Sequence, residues 1–221
     1  MDLWIFDNDG TLYDDTKVGN AFSEIVAVYA SRIAGCSVRE ATSLLALLKI
    51  KHQTMFSVLA LIREFGVDFE KVVHDTYLQL DLKDCGIVSI DTERQIALRN
   101  LNGDKIVFTN NPSRFARRIL VQVGLSEYFD DFVGMEETEF LSKPDPRAFE
   151  IIYNRFRGYR RTFFCDDSLE NLEIGKQYGW RTVWFQPQLT NEVSGTVICG
   201  HFILCSFGDL RGILPIIEAS V

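Results

Sequence analysis

Two aspartates, Asp7 and Asp9, stand two positions apart at the end of the apolar run Leu3-Trp4-Ile5-Phe6 and are followed by Gly10 and Thr11. The run is short, rich in aromatic and branched side chains, and closed by glycine, so it reads as a buried strand. Alternation along a strand places residues i and i+2 on one face, and both carboxylates then emerge where the strand ends. Two carboxylates that close repel one another unless a cation lies between them. A hard ion such as Mg2+ binds one or two carboxylates together with a substrate phosphate. The simpler alternative is a solvated turn, since turns favour Asp, Asn and Gly. The same grammar recurs, however. Lys105-Ile106-Val107-Phe108 ends in Thr109-Asn110-Asn111, and Thr162-Phe163-Phe164-Cys165 ends in Asp166-Asp167-Ser168. Lys143 stands before Pro144, close to a helix start at Pro146. Ligands of open parallel sheets sit beyond the carboxyl ends of the strands, so three such strand ends and one lysine loop point to a single site.

In this order, Asp7-Asn8-Asp9-Gly10-Thr11, Thr109, Lys143-Pro144 and Asp166-Asp167 resemble the four motifs of the haloacid dehalogenase-like phosphohydrolases. Within that superfamily the chain is most similar to the pyrimidine 5′-nucleotidase branch. The matching pieces are Phe6-Asp7-x-Asp9-x-Thr11-Leu12-Tyr13, His52-Gln53-Thr54-Met55, Phe108-Thr109-Asn110, and Asp166-Asp167-Ser168 with Asn171. The resemblance implies that Asp7 is a nucleophile forming an acyl-phosphate that water then hydrolyses. Asp9 would be the general acid for the leaving oxygen and later the base. Lys143 would neutralise Asp7 and the transferring phosphoryl group. Thr109 and Asn110 would bind the phosphate. Mg2+ would be held by the Asp7 side chain, the Asp9 carbonyl and Asp167, with Asp166 in support. Two positions depart from the family pattern: Asn8 stands where an apolar residue is usual, and Asn171 where many relatives have a further aspartate. His52 and Gln53 are expected to open a helix of the insert and to contact a base or sugar.

The expected activity is Mg2+-dependent hydrolysis of a phosphomonoester through an aspartyl-phosphate, with a small phosphorylated metabolite as substrate and a nucleoside 5′-monophosphate as the candidate. A phosphotransferase or sugar-phosphate mutase would use the same two aspartates. A non-catalytic binding protein retaining the fold is the third reading, and the intact motifs count against it.

These residues need elements to position them. The fold class expected is α/β: a Rossmann-like, three-layer parallel sheet core with an inserted all-helical cap. Residues 14–84 carry apolar side chains at helical spacing over 21–34, 38–49, 55–65 and 69–80, with Ser37 and Asp68 placed as caps. They form the expected cap, and residues 1–13 and 85–221 the core. From 92 onward helices and strands alternate, which argues for parallel pairing through right-handed crossovers. An edge strand over 201–206 and a short closing helix over 210–217, weakened by Pro215, complete the reading.

The composition is that of a globular protein: 221 residues, 47% hydrophobic and 24% charged. A formal net charge of -8 argues against binding nucleic-acid polymers or anionic membranes. The five cysteines show no metal-ligand spacing and are expected as reduced thiols of a cytoplasmic protein. No basic leader with a long apolar segment opens the chain, and no apolar run reaches membrane-spanning length. Arg155, Arg157, Arg160 and Arg161, interleaved with Phe156 and Tyr159, read as a solvated helix end. His52, His74 and His201 have no metal spacing.

Overall fold

The computed structural model describes residues 1–88, 90–189, 191–210, 212, 214 and 215. Of the expected closing helix over 210–217, residues 210, 212, 214 and 215 are helical, and the other positions lie outside the described residues. The chain divides into two units, Met1–Asp14 with Ser89–Val221, and Asp15–Val88. The second crossing falls at Val88, where the sequence reading placed it at residue 84.

Strand β1 (Asp2–Phe6) opens the first unit. The chain then builds the helical unit: α1 (Thr16–Ala34), α2 (Val38–Lys51), α3 (Ser57–Phe65) and α4 (Phe69–Asp75). The capping expectations hold. Ser37 and Glu40 form a reciprocal capping box at the start of α2, and the Asp68 carboxylate accepts from the Lys71 amide at the start of α4. Gly35 and Gly66 close α1 and α3 in the left-handed region, which glycine enters without a Cβ penalty. Two expectations fail. The helix expected over 69–80 stops at Asp75 and resumes as a 3-10 turn, Tyr77–Gln79, after a break at Thr76. Nor do His52-Gln53-Thr54-Met55 open a helix. His52 ends α2, Gln53 takes a positive φ of 48°, and α3 begins only at Ser57.

The first unit continues through α5 (Thr92–Asn100), β2 (Asp104–Phe108), α6 (Ser113–Gln122) and β3 (Asp131–Val133). It ends with α7 (Pro146–Arg155), β4 (Arg161–Asp166), α8 (Leu169–Gln177), β5 (Arg181–Phe185), β6 (Val197–Ile198) and β7 (His201–Leu204). The sheet order is β3-β2-β1-β4-β5-β7-β6, parallel throughout except for the β6–β7 hairpin. The strand expected at the edge, β7, is therefore covered by two-residue β6, which caps a row of otherwise unpaired backbone groups. Every residue of β1 is buried, as a central parallel strand covered on both faces requires. Phe108, Phe149, Phe164 and Trp180 pack edge-on and tilted around Leu3, Ile5 and Ile152, and each such fully buried side chain contributes roughly 1.5–3 kcal/mol.

Register sets the height of the chemistry. Phe6 lies opposite Val107 on one side and Cys165 on the other, so the next residue, Asp7, stands level with Phe108 and Asp166. The chain winds outward from β1 through β2 and β3, then returns to the far side of β1 with β4. That reversal leaves a crevice at the carboxyl ends of β1 and β4, where α/β sheets take their ligands.

Candidate active site

Asp7 is 6% exposed, and its amide still pairs with the Cys165 carbonyl at 2.8 Å, so the chain stays locked to β4 up to this residue. The Lys143 ammonium, also buried, donates to Asp7 Oδ1 at 2.6 Å, to Asp166 Oδ2 at 2.9 Å and to the Phe108 carbonyl at 2.9 Å. All three of its protons are thereby committed. Thr11, fully buried, has its hydroxyl 3.4 Å from Asp7 Oδ2.

Asp166 is fully buried, not the exposed helix cap that its neighbourhood to α8 would allow. Its oxygens accept from Lys143, from Asn171 Nδ2 at 3.0 Å and from the Ser168 amide at 2.8 Å. Asn171 is thus a donor that fixes Asp166. Asp167 is placed differently. Its side chain is exposed, and its carbonyl is held by Trp184 Nε1 at 2.8 Å and Gln186 Nε2 at 3.3 Å. A Cβ built on Gly10, whose φ is +74°, would stand 2.6 Å from Asp167 Oδ2. Glycine at position 10 is what lets Asp167 reach the site.

The carboxylates of Asp7, Asp166 and Asp167 offer oxygens that all lie within 4.8 Å of one another. Ligands on opposite sides of an Mg2+ ion are about 4.2 Å apart, since each sits about 2.0–2.1 Å from it. Small side-chain rotations would close the cluster on such an ion. Charge argues the same way. Burial, with Asp166 and Asp9 adding to it, pushes the Asp7 carboxyl well above the usual aspartate range, against the pull of Lys143. Burial alone would lower the Lys143 ammonium, but Asp166 and Asp7 overcome it and hold the lysine charged. One lysine does not balance the carboxylates gathered here, and a further cation would let Asp7 ionise. The donor set, all oxygen, fits a hard ion. Cys165, directly beneath, is kept a thiol by burial and by Asp166 and Asp7, so it offers no thiolate ligand.

Asp9 is aligned from three sides. Its carboxylate accepts from Thr109 Oγ1 at 3.1 Å, from Asn111 Nδ2 at 2.9 Å to each oxygen, and from the Tyr13 hydroxyl. The sequence reading did not single out Asn111 or Tyr13 as site residues, although Tyr13 lies four residues beyond Asp9 and Asn111 two beyond Thr109. Asn110 does something other than expected. Its amide oxygen accepts from the Lys143 amide at 2.7 Å, and its Nδ2 donates to the Lys143 carbonyl at 3.0 Å. The side chain clamps the lysine loop to β2 through its oxygen and one of its two amide protons. Thr109 remains at the site, 1% exposed.

His52 and Gln53 belong to the other unit. The His52 ring lies 2.8 Å from Glu64 Oε2, and its carbonyl accepts from Arg63 Nη1 at 2.8 Å, so α3 anchors the end of α2 through it.

Carboxylates, a hydroxyl and a lysine gathered at the carboxyl ends of parallel strands define an enzyme site of an open α/β sheet. A family model for haloacid dehalogenase-like hydrolases matches residues 1–179, and the chain belongs to that family. Among curated proteins it is 24% identical to phosphate metabolism protein 8 of Saccharomyces cerevisiae, over 97% of this chain and 71% of that protein. Its fold is similar to the HAD phosphatase from Thermococcus onnurineus, with a TM-score of 0.65, 19% identity and 97% and 98% of the two chains covered. It is likewise similar to 2-haloacid dehalogenase from Pseudomonas syringae pv. Tomato DC3000, with a TM-score of 0.65, 20% identity and 98% and 99% covered. A putative beta-phosphoglucomutase from Thermotoga maritima gives a TM-score of 0.59 at 20% identity, covering 100% of both chains.

Proposed function

We propose that the protein is a Mg2+-dependent phosphomonoester hydrolase that works through an aspartyl-phosphate on Asp7, with a nucleoside 5′-monophosphate as its candidate substrate. The observation that carries this reading is the pairing of a buried Asp7–Lys143 couple with a second carboxylate, Asp9, aligned by three donors. Displacing a halide needs no proton on the leaving group. Expelling an alkoxide does, and Asp9 is the group placed to deliver it.

Asp7 attacks phosphorus, the bond to the ester oxygen breaks, and Asp9 delivers a proton to that oxygen. Asp9, now ionised, takes a proton from water as the water attacks the aspartyl-phosphate, and Asp7 is regenerated. Lys143 stabilises negative charge on Asp7 and on the phosphoryl oxygens, the main requirement of phosphoryl transfer. Thr109, released from Asp9, donates to a phosphoryl oxygen. Asp7, the Asp9 carbonyl and Asp167 would hold the ion, which offsets phosphate charge when bound.

A single turnover in heavy-oxygen water tests the chemistry. Hydrolysis of an aspartyl-phosphate by attack at phosphorus puts the label in released phosphate and leaves Asp7 unlabelled. Label in Asp7 itself, the outcome of attack at an ester carbon, would refute the proposal. Running p-nitrophenyl phosphate with an added alcohol separates a hydrolase, which releases inorganic phosphate, from a phosphotransferase, which loads the alcohol.

A further inference from the structure

The arginine cluster between α7 and β4 is unused by the chemistry above. Two of its members are paired: Arg155 lies 2.6 Å from Asp131, and Arg161 lies 2.5 Å from Asp2. Two are not fully engaged. Arg157 bonds to the neutral amide oxygen of Asn154 and to no carboxylate among the described residues. Arg160 is 69% exposed and only 3.5 Å from an Asp2 carboxylate already held by Arg161. Both border a cavity of about 380 Å³ at the amino-terminal edge of the sheet, where the α7–β4 and α8–β5 connections meet. Small-molecule pockets run roughly 300–1,000 Å³.

The lining is aromatic. Leu3 and Ile152 contribute apolar side chains to it, and the rings of Tyr153, Tyr178 and Trp180 follow one another at centroid distances of 5.4 and 5.8 Å. Tyr153 is 47% exposed, so part of this ring surface faces solvent. Ring faces favour a planar aromatic partner. Guanidinium forks favour a phosphate or other oxyanion, which they engage bidentately. In a chain of net charge -8, two under-neutralised arginines beside such rings are a local reversal of sign.

We propose that this cavity binds a small aromatic anion of nucleotide size, its ring against Tyr153 and Tyr178 and its anionic group on Arg157 and Arg160. The site stands at the opposite edge of the sheet from Asp7, so its occupant is a ligand and not the group being hydrolysed. This holds whether or not the phosphatase reading does.

The test uses the native chain in chelator-containing buffer, which silences metal-dependent turnover, with the fluorescent aromatic sulfonate 1-anilinonaphthalene-8-sulfonate as probe. Saturable binding of one probe per chain is expected, with energy transfer from tryptophan. AMP should displace it, whereas adenosine or inorganic phosphate at equal concentration should not. Arg157→Ala with Arg160→Ala should weaken probe binding at least about tenfold, while p-nitrophenyl phosphate turnover with Mg2+ stays at the wild-type level. Tyr153→Ala, an exposed ring whose loss should leave the fold intact, should also weaken it. Unchanged affinity in the arginine pair or in Tyr153→Ala, or displacement by adenosine as good as by AMP, would overturn the proposal.

Discussion

The two edges of the sheet carry opposite chemistry and opposite degrees of enclosure. At the carboxyl edge, Asp7, Asp166 and Lys143 are buried and every bond of the lysine is committed. At the amino edge, Arg157 and Arg160 are exposed and share little with Asp2. Both edges lie on the same strands, β1 and β4. The difference teaches that enclosure is what turns a charge cluster into a reactive one, because attraction and repulsion between charges grow as water is excluded. On the proposals made above, the exposed edge binds and the enclosed edge reacts.

The strongest way to break that contrast is to neutralise the enclosed edge. Asp7→Asn should cut p-nitrophenyl phosphate turnover by at least about 10⁴-fold, since an amide cannot accept the phosphoryl group. In metal-free buffer the same variant should melt no lower than wild type, because one carboxylate of a crowded set is gone. Steady-state turnover near wild type would remove Asp7 as nucleophile.

Lys143→Met goes the other way. It leaves Asp7 and Asp166 buried without their counter-charge, which costs about 3–5 kcal/mol in chelated buffer. Activity should fall about 10²–10³-fold, as when a single charge-stabilising donor is lost. Added Mg2+ should restore part of the stability, read as a rise in Tm.

The acidic pair sharpens the distinction within the enclosed edge itself. Asp167→Ala should abolish most of the Mg2+-induced rise in Tm and change chelated stability little. Asp166→Ala should do the reverse, because it strands Lys143 and Asn171. Equal effects of the two on metal response would erase the assigned ranking. Gly10→Ala should act as a milder form of Asp167→Ala, with about 1–2 kcal/mol of backbone strain at φ +74° and a Cβ that displaces Asp167 Oδ2.

The smallest effect belongs to the open edge. Arg161 holds the Asp2 carboxyl below its ordinary value near 3.8. A group whose folded pKa is depressed contributes above its unfolded value and loses that contribution as pH falls through the folded one. Asp2→Asn should therefore cost about 1–2 kcal/mol at neutral pH, and the two proteins should converge in stability in acid below that value. A difference that persists undiminished in strong acid would mean packing, not charge, is involved.

Which residues meet was largely legible from order and spacing. Asp7, Thr109, Asp166 and Asp167 stand at or just past strand ends and Lys143 just before a helix start, and parallel strands in register bring such ends to one height. The Ser37 and Asp68 caps were legible for a local reason: a cap needs only its own next three residues. Residues 52–55 misled because apolar spacing fits a helix start as well as a stop, and the contacts of Glu64 and Arg63 that decide between them come from another helix.

The sequence by itself determined the chemical inventory and the strand ends that present it, because both depend on residue type and on alternation along a few residues. Only the tertiary structure decided the division of labour. Asn110 clamps Lys143 while Asn111 aligns Asp9, Asp166 is consumed internally while Asp167 is left at the surface, and Gly10 makes room for it. Neighbouring residues of the same type took different roles because hydrogen-bond direction and burial are set by partners on other elements and loops, from 5 to 102 positions away in sequence.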